Sequence, residues 1–230
     1  MTVAIIPARG GSKRIPDKNI IDMMGRPMLS WPITSALESS VFTRVLVSTD
    51  SERIADAAVA AGAEVPGLRP AEISDDLSTL DAVIRHAITA YDIADEWVCV
   101  IYATAVLLRP ETLARAHDAA LSAPAGADFV MSLLPFPHPI QRAVALEEGQ
   151  VRMLDQRNTR IRTQDLEMRY HDAAQFVFGR RDAWLAGRTV WDSTTRGIVL
   201  TPDEAVDIDT PDSLNMVEAL LRHRLSPNES

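Results

Sequence analysis

VAIIPARGGSKRIPDKN, residues 3–19, is the stretch that decides the fold. Val3, Ala4, Ile5 and Ile6 form a short apolar run without polar alternation, the pattern of a strand covered on both faces of a parallel sheet. Polar chemistry begins where that strand ends. Arg9, Lys13, Arg14 and Lys18 stand against a single acid, Asp17, a local surplus of three positive charges in a chain whose net charge is -9. A cationic island on an acidic protein points to a bound polyanion. Gly10 and Gly11 let the backbone pass close to a ligand, and successive N–H groups in such a turn form a concavity for anions. The stretch has neither the GxxxxGK[ST] of a Walker loop nor the GxGxxG of a dinucleotide fold. From composition alone it is either a phosphate cradle or a solvated basic turn.

Outward from this loop, helices and strands alternate. Residues 28–39 read as a helix with Leu29, Ile33, Ala36 and Leu37 on one stripe and Pro32 confined to the first turn. A second buried strand spans 44–48 and ends at Thr49 and Asp50, which stand with Arg9 to Lys13 at the carboxyl ends of the strands where a ligand would bind, although the preferred reading of Asp50 is as the cap of a helix over 52–61 that Gly62 closes. Ser78 and Asp81 have capping-box spacing ahead of a helix carrying Leu80, Val83, Ile84, Ala87, Ile88 and Tyr91. A core strand at 97–103 follows, then a helix over 110–122 with Pro110 at its first position and Leu113, Ala116, Ala120 and Leu121 inward, then a strand at 128–135. Such alternation implies an α/β fold with a parallel sheet, whose ligands bind outside the carboxyl ends of the strands.

Residues 136–169 break the alternation. A hairpin is expected around Glu147-Glu148-Gly149, followed by Arg152, Arg157, Arg160, Arg162 and Arg169, which read as solvated charge on an excursion from the sheet. The next segment, Tyr170 to Phe176, takes a polar cluster into a strand, and its Tyr, His, Asp and Gln supply donors and acceptors for a polyhydroxylated ligand. His171 and Asp172 are adjacent and so point to opposite faces, which makes them a poor metal pair. Residues 205–211 read as a strand feeding a helix over 211–224, with Thr210 as cap and Pro211 first. Asp207 and Asp209, two apart in that strand, share a face and can hold a hard cation such as Mg²⁺, or else Asp209 belongs to the helix-start turn.

Composition bounds the rest. At 230 residues and 47% hydrophobic, the chain suits one globular α/β domain. Its one cysteine, Cys99, lies in the apolar run WVCVIYA, where a buried thiol is expected, and a disulfide framework is excluded. No segment approaches the roughly twenty apolar residues of a membrane span, so the expected location is the cytoplasm. An acidic balance argues against nucleic acid as a partner.

IIPARGGSKRIPxKN resembles the opening motif of the sugar-activating cytidylyltransferases that make CMP-linked nonulosonic acids. The resemblance implies a Rossmann-like nucleotidyltransferase fold with a mostly parallel central sheet. It also implies a single cytidylyltransferase domain over 1–230, with 136–170 as a dimerisation arm and a homodimer as the assembly. The reaction implied is transfer of CMP from CTP to the anomeric hydroxyl of a nonulosonic acid, with release of pyrophosphate. For the nucleotide it points to Arg9, Gly11, Ser12, Lys13, Lys18, Asn19, Arg69 near the cytosine, and Ser78. For the sugar it points to Thr104, Gln164, Tyr170, His171, Asp172, Gln175 and Phe176. The segment Asp207-Ile208-Asp209-Thr210-Pro211 is similar to the family's metal-binding segment, which puts Mg²⁺ on Asp207 and Asp209 and leaves Arg9, Lys13, Asp207 and Asp209 as the catalytic set. Tyr102 to Ala105 and Tyr170 to Phe176 are most similar to the pseudaminic-type members, although Ala174 stands where those have glycine and Val177-Phe178 where they have an aromatic pair. Sialic- and legionaminic-type activity is the alternative. A metal-dependent glycosyltransferase is a more remote rival, without the Lys/Arg-rich triphosphate cradle, and a non-catalytic nucleotide-binding module is a third.

Overall fold

The computed structural model describes residues 1–12, 14–75, 78–123 and 126–226. Strand β1, Thr2–Pro7, has Val3 to Ile6 fully buried, as a continuous apolar run requires. A small hairpin follows, β2 (Asp22–Met23) and β3 (Arg26–Pro27), turned at Met24 and Gly25, whose φ values are 59° and 85°. Next come α1 (Ser30–Ser39), β4 (Val45–Ser48), α2 (Glu52–Ala60), α3 (Leu80–Ala90), β5 (Trp97–Ile101), α4 (Pro110–Leu121) and β6 (Phe129–Pro135). A second hairpin, β7 (Val144–Glu147) and β8 (Gln150–Met153), precedes β9 (Tyr170–Arg180), α5 (Arg181–Leu185), β10 (Thr195–Val199) and α6 (Pro211–Leu225).

Six strands form one sheet in the order β10-β6-β9-β5-β1-β4. β9 is antiparallel to both its neighbours and the other pairings are parallel, so the sheet is mostly parallel, as the alternation implied. Leu29, Ile33, Ile54, Ala58, Leu113 and Ala116 bury α1, α2 and α4 in one cluster, while Ile84, Ala87, Ile88 and Trp184 bury α3 and α5 in another. Helices thus cover both faces. A third cluster joins α6, through Val217 and Leu221, to Met23, Met28, Val106, Leu107 and Ile208. At Gly179 a Cβ would lie 2.4 Å from the Trp184 indole nitrogen, so that packing admits only glycine there. Cys99 is buried in β5 and its burial pushes the thiol pKa well up, which suits a packing role. Among the described residues no helix is long and apolar enough to cross a membrane.

Several expectations are corrected. Leu37 and Leu121 are 44% and 57% exposed, because each lies at the rim of its helix's buried stripe. Asp50 caps nothing: Ser51 holds the cap position of α2. At α3 the cap is Thr79, whose hydroxyl accepts the Ala82 N–H, in place of Ser78. Residues 205–209 form no strand, since β10 takes the sheet edge beside β6 and leaves that segment no ladder to join. The expected hairpin at 147–149 is present, turned by Glu148 and Gly149 with φ 50° and 81°, and its two strands pair only with each other.

Candidate active site

A cavity of about 590 Å³ opens at the carboxyl ends of β1, β4 and β5. Its lining includes Arg9, Ser12, Arg14, Lys18, Asn19, Arg69, Asp75, Ser78, Tyr102, Ala103 and Thr104. Seven of the expected substrate residues therefore share one space: Arg9, Ser12, Lys18, Asn19, Arg69, Ser78 and Thr104. Gly11 is exposed beside them, and a Cβ there would meet nothing within 4 Å, so intramolecular packing does not demand glycine at this position. Lys13, expected both to bind nucleotide and to act in catalysis, lies outside the described residues.

The loop after β1 is held from two sides. Asn19, largely buried, donates its amide to the Arg9 carbonyl at 2.9 Å, and the Gly10 N–H donates to Asp50 Oδ1 at 2.9 Å. Asp50 also stands 3.8 Å from the Arg69 guanidinium, which is buried and donates to the Ser48 carbonyl and to Ser74 Oγ. Burial lowers the Arg69 pKa, Asp50 and Tyr91 oppose that, and Arg9 adds to it. Two guanidiniums close enough to repel each other make a site that gains from an anion. The Ser78 hydroxyl donates to Asp75 Oδ1 at 2.6 Å, which fixes the chain ahead of α3.

The carboxylates meet the loop at its far end. Lys18 Nζ donates to the Ile208 carbonyl at 2.7 Å and lies 3.3 Å from Asp209 Oδ1, while Arg14 pairs with Asp209 Oδ2 at 2.9 Å. Asp209 also starts α6: its N–H donates to Ser213 Oγ, and Thr210 and Ser213 cap the helix reciprocally. Asp207 is exposed as a residue, yet burial of its carboxyl raises the pKa, as do Asp209 and Asp172, against Lys18 and Arg14. Acids that resist one another's ionisation favour a bound dication. Among the described residues no three His, Cys, Asp or Glu side chains come together as a full metal cage. Mg²⁺ needs only one or two carboxylates when phosphate oxygens and water complete its shell, so Asp207 and Asp209 fit that ion.

Tyr102 was not among the expected site residues. It lines the cavity, and its phenol is pushed up to about 12 by burial and then by Asp172, Asp207 and Asp81, which keeps it a protonated donor. Its place between the core strand and the polar YATA segment was the available signal. Arg14 was missed likewise, having been counted only as loop charge, and Asp50, placed at the ligand end of the strands, was preferred as a cap.

The expected sugar residues divide. Asp172 reaches the acids electrostatically, and its Oδ1 accepts the Ala174 N–H at 2.8 Å. His171 packs on Phe136, with ring centroids 5.0 Å apart, and Tyr170 is exposed at the start of β9. Three are corrected. Phe176 is 0% exposed, packed against Phe178 in the core. Gln175 is buried and its amide nitrogen donates to the Ala173 and Ala174 carbonyls, so it braces a bulge and is not among the residues lining this cavity. Gln164 sits exposed in a turn at Thr163–Asp165, away from the cavity lining. Gln175 and Phe176 lie at a break in register between β6 and β9, where the buried Ser132 hydroxyl accepts both their N–H groups.

A mostly parallel sheet that presents a cationic, glycine-bearing loop and paired aspartates at one end defines a nucleotidyltransferase. A family model described as cytidylyltransferase matches residues 3–188, and the chain belongs to that family. It is 39% identical over 224 residues to a pseudaminic acid cytidylyltransferase of Campylobacter jejuni, covering 96% of each chain. It is 28% identical over 232 residues to a CMP-N,N'-diacetyllegionaminic acid synthase of Legionella pneumophila, covering 95% of each. In fold it is similar to a CMP:2-keto-3-deoxy-manno-octonic acid synthetase complexed with CTP, with a TM-score of 0.73 at 18% identity, over 97% of this chain and 99% of that one.

Proposed function

We propose that this chain transfers a cytidylyl group from CTP to the anomeric hydroxyl of a nonulosonic acid, pseudaminic acid before others, and releases pyrophosphate. One observation carries the choice of sugar: the 39% identity with a pseudaminic acid cytidylyltransferase over 96% of both chains. The 28% identity with the legionaminic enzyme leaves that sugar second. The sugar hydroxyl gives up its proton to solvent as its oxygen attacks the α-phosphorus, the bond from that phosphorus to the bridging oxygen breaks, and pyrophosphate departs with the electron pair. Arg9, Lys13 and Lys18 neutralise the triphosphate, with Arg69 and Ser78 on the nucleoside side. The protonated Tyr102 phenol donates to substrate beside Thr104, and Tyr170, His171 and Asp172 face the sugar. Asp207 and Asp209 would hold Mg²⁺, which would supply Lewis-acid charge to the phosphate and make the attacking hydroxyl more acidic.

We further propose a cytoplasmic homodimer joined through the arm at 136–170. Leu146 and Val151, 72% and 69% exposed on the β7–β8 hairpin, support that assembly, since a hairpin paired only with itself gains from covering its apolar side chains. Incubation with CTP, Mg²⁺ and pseudaminic acid is expected to give CMP-pseudaminic acid and pyrophosphate in equal amounts. Release of CMP with no sugar adduct would contradict the assignment.

A further inference from the structure

Glu204 is 8% exposed, and among the described residues no cation forms an ion pair with it. Burying a carboxylate is costly unless its lone pairs are filled. Here each oxygen has a donor: Oε1 accepts the Thr112 hydroxyl at 2.6 Å and Oε2 accepts the Thr201 N–H at 3.0 Å, while the Thr201 hydroxyl, 2.8 Å from Oε2, is shared with Asp203 Oδ1 at 2.5 Å. Thr112 lies in the first turn of α4, where the helix dipole favours an anion, and α4 is itself packed on the sheet.

The chain leaving Glu204 carries Ala205 to Asp209 without a single ladder bond to the sheet. Its far end is held by Lys18 on the Ile208 carbonyl and by Ser213 on the Asp209 N–H. Its near end is held by Glu204, next to an Asp203 whose carbonyl accepts from Arg224 and whose carboxylate pairs with Arg109. Asp207 lies between the two anchors, next to the far one. We infer that Glu204 is a positioning residue for Asp207 and Asp209, holding the aspartate segment against α4 through Thr112 so that both carboxylates address one cation. This inference rests on the reading that those aspartates hold Mg²⁺.

The test uses the full chain and Mn²⁺ as probe, titrated by electron paramagnetic resonance in the presence of CTP, with CTP affinity measured separately without metal. Glu204→Gln and Thr112→Val, each checked for a folded state by thermal unfolding, are expected to weaken Mn²⁺ binding about 10-fold while leaving metal-free CTP affinity within about 2-fold. Thr112→Ser, which keeps the hydroxyl, is expected to restore Mn²⁺ affinity. Asp209→Asn is the control for the underlying reading. If Asp209→Asn weakens Mn²⁺ binding while folded Glu204→Gln and Thr112→Val do not, the positioning role is overturned and the metal reading stands. If Asp209→Asn has no effect on Mn²⁺, the metal reading falls and this inference falls with it.

Discussion

Asp50 takes the Gly10 N–H and stands 3.8 Å from Arg69, so one carboxylate holds both the phosphate loop and the buried guanidinium. Asp50→Ala is expected to raise KM for CTP about 5- to 100-fold with a smaller change in kcat, since it leaves a donor and a charge without their partner. Steady-state kinetics at saturating sugar checks it. Nothing local in the sequence distinguishes this role from capping, because Asp at the end of a strand before a helix suits both. Ala174 offers a stability test. Its φ is 51°, a left-handed conformation that costs an L-residue about 1–2 kcal/mol, against about 0.4–1 kcal/mol of extra unfolded-chain entropy in glycine. Ala174→Gly should therefore stabilise the protein by roughly 0.5–1 kcal/mol and raise Tm by about 1–4 °C in a thermal melt. Unchanged or lower Tm would show that the bulge, braced by the Asp172 carboxylate on the Ala174 N–H, already relieves that strain.

Among the elements, burial made most of the sheet and its helices legible, while turn and cap residues marked the hairpin at 147–149 and α6. β1, β4, β5 and β6 are apolar on both faces, and α1, α2, α3 and α4 bury regular stripes, so their existence was legible, with ends displaced by one or two residues. β10 was not, because its Thr-Arg-Gly-Ile-Val is an edge strand with two exposed polar or small positions and no apolar alternation. The mistaken strand at 205–209 has the opposite cause: Ala205 and Ile208 are buried, but against helices and the loop cluster. The resemblance, and no periodicity, put Gln175 and Phe176 at the sugar, and the bulge whose Ser132 hydroxyl accepts both their N–H groups has no signal in the sequence. Glu204 gives this level its pH dependence. Burial raises its pKa, but the bonds from Thr112 and Thr201 outweigh that and leave it lowered. A depressed carboxylate contributes stability above its unfolded pKa, about 4.3, and loses it as pH falls through the folded value. The stability difference between wild type and Glu204→Gln should thus be full at pH 6–7 and shrink below about pH 4, as urea unfolding across that range would read. A difference independent of pH would mean that shape, and not charge, matters at this position.

Across the whole molecule, one end of the sheet gathers the candidate site residues, and the separate β7–β8 hairpin exposes Leu146 and Val151 on a chain of net charge -9. Charging the arm by Leu146→Asp with Val151→Asp should shift the mass in light scattering from twice 25.2 kDa to 25.2 kDa, and an unchanged dimer would put the interface elsewhere. The class of enzyme was legible through the resemblance that the loop and the aspartates carry, since the residues alone left a basic turn and a helix-start acid open, and the sugar rests on polar residues whose spacing names no stereoisomer. A site built to hydrogen-bond one sugar leaves buried polar groups unpaired with its epimers. The most direct measurement is pyrophosphate release from CTP and Mg²⁺ across pseudaminic, legionaminic and sialic acids. Pseudaminic acid is expected to lead in kcat/KM by at least roughly tenfold. Faster turnover of either other acid would contradict the sugar assignment, and no pyrophosphate with any of the three would contradict the transfer itself.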